Sequence, residues 1–149
     1  MKEITEKEAF SRMASYCSMA EHCCSEVIEK LKKWELATEQ VECIIKALQA
    51  EKYIDEERYC RSFINDKIRF SKWGKRKIAM ALYQKRIPDA IIQKHLNEVD
   101  EEEYLSILKQ LLEAKKKSIK AKDEYEFRGK LFRFAMGRGF DVEDVEKVR

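Results

Sequence analysis

KRKIAMALYQKRIPDAIIQKHL, residues 75–96, reads as two helices meeting at one corner. Ile78 and Leu82, flanked by Ala79 and Ala81, form an apolar stripe at helical spacing. A polar stretch follows, then Ile87. Pro88 then stands where a first-turn proline belongs, and a second apolar helix begins. The plan recurs twice. In CSEVIEKLKKWELATEQVECIIKAL, residues 24–48, the apolar residue after the polar stretch is Leu36. In EFRGKLFRFAMGRGFDVEDVEKV, residues 126–148, it is Phe140. Setting Leu31, Leu82 and Ala135 in register puts Leu36, Ile87 and Phe140 five positions on in every copy. The stripe residues three and four positions back also coincide: Ile28 and Val27, Ala79 and Ile78, Phe132 and Leu131. The copies are 51 and then 53 residues apart, which leaves room for one more helix ahead of each. Those leading helices are expected near 7–22, 55–70 and 101–118.

A helix pair cannot bury both of its stripes alone; a third helix laid across them closes a small core. The chain therefore reads as all-α, three tandem three-helix units of the helix–turn–helix type at 1–51, 52–98 and 99–149. Leu36, Ile87 and Phe140 would plug the corner between the last two helices of each. Thr38, Asp55 (followed by Glu56 and Glu57) and Asp141 are placed to cap helices. The connections QAEKYIDEE and NEVDEEE are short and polar, so the units should form an elongated, curved and semi-rigid array rather than one ball.

Composition agrees. Four Gly and one Pro in 149 residues are too few for an all-β chain built on tight turns. The five cysteines, at 17, 23, 24, 43 and 60, are odd in number and contain no CxxC pair, so they read as free core thiols of a reducing cytosol. His22 and His95 are the only histidines, and no metal or cofactor is expected. The N-terminus MKEITEKEAF is charged where a signal peptide needs an apolar region. The longest uncharged run, Met13 to Ala20, falls far short of the ~20 residues that span a bilayer. A soluble, cytoplasmic protein is expected. No Ser–His–acid order, phosphate-cradling Gly loop or HExxH spacing occurs, so catalysis is not expected.

Charge is uneven. Residues 1–62 hold 10 basic and 13 acidic side chains, and residues 63–149 hold 21 and 15, so net charge shifts from −3 to +6 along the chain. From Lys67 through Arg86 there are eight Lys or Arg and no acid. Lys85 and Arg86 suit the C-terminus of a helix. Lys75, Arg76 and Lys77 open that helix, where its dipole disfavours cations; local helix stability leaves them unexplained, and a contact to anions is expected. Phe70, Trp73 and Tyr83 are interleaved with the cations, as on nucleic-acid surfaces, but Phe70 and Trp73 read first as core residues between helices. Lys115–Lys117 with Lys120 and Lys122 read as a solvated helix end or a second anion contact.

Several of these stretches resemble the RecX family, bacterial modulators of the RecA recombinase. KYIDEERYC at 52–60 is similar to the pattern that opens the family's second repeat. WGKRKIAMALYQKRI at 73–87 resembles the next segment, with its Gly, basic cluster, aliphatic stripe and terminal Ile. GRGF at 137–140 resembles the ending of the third repeat. The likeness covers about residues 10–149. Two corners depart from the pattern: where the family usually has Gly before the plug residue, Glu35 and Arg86 stand here, and only Gly139 keeps it. A left-handed residue at 35 or 86 would cost about 1 kcal/mol, so those corners are expected to be built differently. EHCCSE at 21–26 replaces a segment that is usually Arg- and Ser-rich, which makes the first unit the weakest match.

The resemblance implies a non-catalytic regulator that binds in the groove of the RecA filament on single-stranded DNA. It would inhibit strand exchange, ATP hydrolysis and filament growth, with a place in DNA repair, recombination and the SOS response. RecA would be the partner, DNA would be contacted through it or directly, and the protein would be a monomer. The contact candidates are Lys67, Arg69, Lys72, Lys75, Arg76, Lys77, Lys85, Arg86, Arg128, Arg133 and Arg138. The alternative is a helix–turn–helix DNA-binding regulator. It is less favoured because PDAIIQKHLNE is poor in base-reading donors, with Gln93 and Lys94 the best, and DVEDVEKV is acidic.

Overall fold

The computed structural model describes residues 4–149, with nine helices and no strand among them. They are α1 (Glu6–Met19), α2 (Cys24–Lys32), α3 (Thr38–Ala50), α4 (Glu56–Arg69), α5 (Lys75–Gln84), α6 (Asp89–Asn97), α7 (Glu101–Lys116), α8 (Glu124–Gly137) and α9 (Val142–Val148). The first three residues of the expected first unit lie outside the described residues. Within each triplet one helix packs on both others: α3 on α1 and α2, α4 on α5 and α6, α7 on α8 and α9. All three leading helices are present at the expected places.

Helix starts follow from local chemistry. Side chains of Thr5, Asp55, Asp100 and Asp123 accept first-turn amides, as in Arg58 N to Asp55 Oδ1 at 3.0 Å and Glu126 N to Asp123 Oδ1 at 2.8 Å. Thr38 does not cap α3: it is the first helical residue, and Gln40 Oε1 takes the Ala37 amide at 2.9 Å instead. Pro88 is the N-cap of α6 rather than a first-turn residue, and Asp141 holds the N-cap position of α9 without a side-chain capping bond.

The corners correct the expectation drawn from the missing glycines. Glu35 (φ 56°) and Arg86 (φ 62°) are left-handed, as Gly139 (φ 98°) is. At the second corner Arg86 N donates to Tyr83 O (2.9 Å) and Ile87 N to Leu82 O (3.2 Å); at the third, Gly139 N donates to Met136 O (3.0 Å) and Phe140 N to Ala135 O (3.1 Å). This is the Schellman ending, in which the residue after the left-handed one bonds five positions back and makes an apolar contact there. The five-residue register between Leu82 and Ile87, and between Ala135 and Phe140, is that bond seen in sequence. Arg86 stays without glycine because satisfied helix-end carbonyls and the buried Ile87 outweigh about 1 kcal/mol of left-handed strain. Ile87 and Phe140 are buried; Leu36 is only half-buried.

The core is divided unevenly. One cluster joins Ala9, Met13 and Cys17 of α1 to Val27, Leu31, Val41, Ile44 and Leu48, with Ile54 closing it. A second runs without a break through α4 to α9, from Tyr59 and Ile64 to Leu131, Phe140 and Val145. The second and third triplets are therefore not separate bundles: α4 packs on α7, and one apolar core serves both. The accessible surface is 9751 Å², roughly a fifth more than the about 8,000 Å² of a compact chain of this mass. The excess is the signature of an extended arrangement.

Candidate basic interface

Trp73 lies at the centre of the basic stretch. α4 ends at Phe70, and Lys72 turns left-handed (φ 58°), so the chain doubles back. Trp73 N donates to Lys67 O at 3.0 Å and Lys72 Nζ to Arg69 O at 2.7 Å. The indole is half-buried against the large core, as expected. Lys67 Nζ and Lys77 Nζ each lie 4.6 Å from its ring centre, and Lys67 also lies 5.4 Å from Phe63. Such contacts hold an ammonium in place by about 0.5–1 kcal/mol while leaving its charge available. Phe70 is not a core residue: it is the C-cap of α4 and is 80% exposed. Tyr83 is exposed too, and its hydroxyl donates to Asp89.

The start of α5 meets the end of α8. Gly74 N donates to Arg138 O (2.7 Å), Arg76 N to Gly139 O (3.1 Å) and Lys75 N to Tyr104 Oη (2.9 Å). The amides that would cradle an anion at a free helix N-terminus are thus engaged within the protein. This contact also revises the reading of Lys75, Arg76 and Lys77. The dipole of α5 disfavours them, but the carbonyl end of α8 abuts them and favours cations. Lys75 Nζ lies 4.9 Å over the Tyr104 ring and Arg76 Nε 3.8 Å from Asp141 Oδ1. The surroundings stabilise part of the cluster, while Arg76 and Lys77 remain exposed.

The approach is possible because both facing residues lack side chains. A Cβ on Gly74 would collide with the backbone of Gly139 and with Phe140 N. Arg138 completes the joint by donating from Nη1 to Ser71 O at 3.1 Å, with its guanidinium 5.4 Å from the Phe134 ring. Lys67 and Lys77 thereby flank Trp73, Lys75, Arg76 and Arg138 sit at the α5–α8 contact between the second and third triplets, and Lys72 lies in the turn just before it. The remaining candidates lie elsewhere. Arg69 pairs with Glu103 of α7 (2.9 Å), Lys85 with Glu26 of α2 (2.9 Å) and Arg128 with Glu146 of α9 (2.6 Å). Arg86 is exposed at the α5–α6 corner, and Arg133 is exposed on α8.

Sequence reading missed the joint between the first and second triplets. Arg58 pairs with Glu21, Lys85 with Glu26, and Cys24 N donates to Glu56 Oε1 at 2.9 Å. EHCCSE at 21–26 is thus a docking segment in this chain. Burial raises the Cys24 thiol to about 12, aided by the Glu56 carboxylate, and raises Cys60 to about 11, so neither is a nucleophile. The donors required for base reading are engaged: Lys94 Nζ pairs with Glu57 (2.8 Å), and Gln93 Nε2 lies 3.4 Å from both Tyr83 Oη and Asp89 Oδ1. Among the described residues no group of His, Cys, Asp and Glu is placed to hold a metal, and no helix is long and apolar enough to cross a membrane.

Tandem helix triplets, two of them sharing one core, define a helical-repeat protein. Comparison with known proteins gives the kind. The family model for the second three-helix domain of RecX matches residues 55–96, and that for the third matches residues 101–148. Regulatory protein RecX of Finegoldia magna is 32% identical over 143 residues, which is 95% of this chain and 70% of the relative. Regulatory protein RecX of Prosthecochloris aestuarii is 29% identical over 149 residues, covering 99% and 95%. A crystal structure of regulatory protein RecX superposes with a TM-score of 0.88 at 26% identity, over 96% of this chain and 72% of that one. The chain belongs to the RecX family of regulatory proteins.

Proposed function

We propose that the protein regulates the RecA recombinase by seating in the groove of the RecA filament on single-stranded DNA. It acts as a cytoplasmic monomer without cofactor and without chemistry of its own. It slows ATP hydrolysis, strand exchange and filament growth by bracing neighbouring RecA subunits. One observation carries the reading: six cations on or beside the seam of two triplets that share a core, on a chain of a regulatory family. A rigid extended body with such a seam fits a groove lined with negative charge, either DNA phosphate or acidic loops.

The test is a titration of DNA-dependent ATP hydrolysis by RecA. Substoichiometric protein should slow hydrolysis, and a variant with Lys75→Glu, Arg76→Glu and Lys77→Glu should lose most of that effect while keeping the helical far-ultraviolet circular dichroism of the unchanged protein. Hydrolysis that stays constant across a wide titration of the unchanged protein refutes the proposal. An equally potent charge-reversed variant refutes the assignment of the seam.

A further inference from the structure

The end of α7, the segment after it and α8 line an open dish of about 560 Å³, which meets the basic seam at Phe134, whose ring lies 5.4 Å from the Arg138 guanidinium. Its walls carry Lys115, Lys120, Lys130 and Arg133, and its floor is Ile119 and Phe134. Ser118 completes the lining, which contains no carboxylate. Two of the four cations have structural employment. Lys115 suits the carbonyl end of α7 and lies 4.9 Å over the Phe134 ring. Lys130 Nζ donates to Lys120 O (2.6 Å) and pairs with Glu126 (3.1 Å). Lys120 and Arg133 are exposed and have no ion-pair partner among the described residues.

Solvation of a helix end accounts for cations that spread outward. It does not account for four that line one dish from two helices and a loop, beside Ile119 and Phe134. Gathered there they repel one another, and the floor reduces the water that would screen them. An anion that fills the dish removes the repulsion. One positive charge would match a simple carboxylate; with Lys130 offset by Glu126, the three that remain match a ligand whose phosphates lie close together.

We propose that the α7–α8 elbow is a binding site for a ligand bearing two or more phosphate groups. Two sources share that chemistry: a free nucleoside triphosphate, and adjacent phosphates of a nucleic-acid strand. The site is independent of the RecA reading, because it requires only the dish and its four cations.

The full chain is titrated at low salt with ATP, with inorganic tripolyphosphate and with a short oligothymidylate, followed by calorimetry and by amide resonances of Ile119 and Phe134. The same titrations are run on Lys120→Ala/Arg133→Ala, two exposed positions at which the melting temperature should hold. Binding should shift both resonances and weaken about tenfold or more in the double variant. Binding of ATP and tripolyphosphate alone assigns the site to free polyphosphates. Binding of the oligonucleotide alone assigns it to a strand, and the dependence of log K on log salt should then become shallower by about 1.4 in the double variant. The proposal is overturned if no ligand moves the two resonances, or if the double variant binds as tightly as the unchanged protein.

Discussion

Gly74→Ala tests the seam on which the functional proposal stands. Gly74 has an ordinary φ of −83°, so alanine is not strained by the backbone angle there. The penalty is steric: the new Cβ meets the Gly139 backbone and Phe140 N, and neither is the far end of a flexible side chain. Relief requires the α8–α9 corner to move off α5. That would stretch Gly74 N to Arg138 O and Arg76 N to Gly139 O, and would disturb Phe140, which is fully buried. Overpacking costs roughly 1–3 kcal/mol, and each lost hydrogen bond about 0.5–1.5 kcal/mol. The expected loss is about 2–6 kcal/mol, a large share of the 5–15 kcal/mol typical of a domain.

Gly137→Ala is the matched control. It sits in the last turn of α8 with nothing within 4 Å of its added Cβ. There the better helix propensity of alanine should stabilise by up to about 1 kcal/mol. Urea melts followed by far-ultraviolet circular dichroism and by tryptophan emission measure both variants, since Trp73 adjoins the seam. The steric reasoning is refuted if the two substitutions shift the midpoint alike, or if Gly74→Ala costs less than about 1 kcal/mol.

Three further outcomes are expected. Arg86→Gly should raise stability by roughly 0.5–1 kcal/mol in thermal melts by relieving the left-handed corner, whereas Gly139→Ala should lower it by more than 1 kcal/mol. Phe140→Ala should cost about 3–5 kcal/mol in urea melts, because its ring is fully buried and lies 5.3 Å from that of Tyr104. At Glu26 burial works against ionisation, yet bonds from Lys85, the Cys23 amide and His22 prevail and hold the carboxyl below its ordinary value. A depressed carboxyl contributes stability above its unfolded pKa and loses it as pH falls through the folded one. The first triplet should therefore loosen under acid, seen as amide exchange in α2, and Glu26→Gln should flatten that dependence.

The fold was legible because its repeating element is local. Apolar stripes, capping acids and the five-residue step to Ile87 and Phe140 all lie within one corner, where sequence spacing equals spatial proximity. The left-handed angles at Glu35 and Arg86 were misread because glycine marks such a turn without being required by it. The site was legible in composition but not in arrangement. Eight adjacent cations announced a basic surface, yet Arg69 and Lys85 turn out to brace distant carboxylates at Glu103 and Glu26. Arg138, far along the chain, instead reaches Ser71. Such pairings depend on how the triplets dock, and docking rests on partners some 30 to 70 positions apart, beyond any periodicity. Gly74 and Gly139 were both visible, but their need for each other was not.

The two joints differ in kind, and this bears on how the array can work. Between the second and third triplets the contact is apolar and continuous, so its strength changes little with salt. Between the first and second, only Cys23 among the described residues of the first triplet enters the large core, and Glu21–Arg58, Glu26–Lys85 and the Cys24–Glu56 bond, all part-exposed, supply the polar contacts. Interactions of that type are screened by ions and hold a geometry less firmly than a buried core. The cationic seam therefore lies on the stiff part of the molecule, where a fixed spacing of charges can match a regular polymer. The first triplet is joined to that part by Cys23 and by ion pairs, which hold its angle less firmly than a continuous core would. The proposed seating in a filament groove calls for both properties, and this chain separates them by placing polar residues at one joint and glycines facing each other at the other.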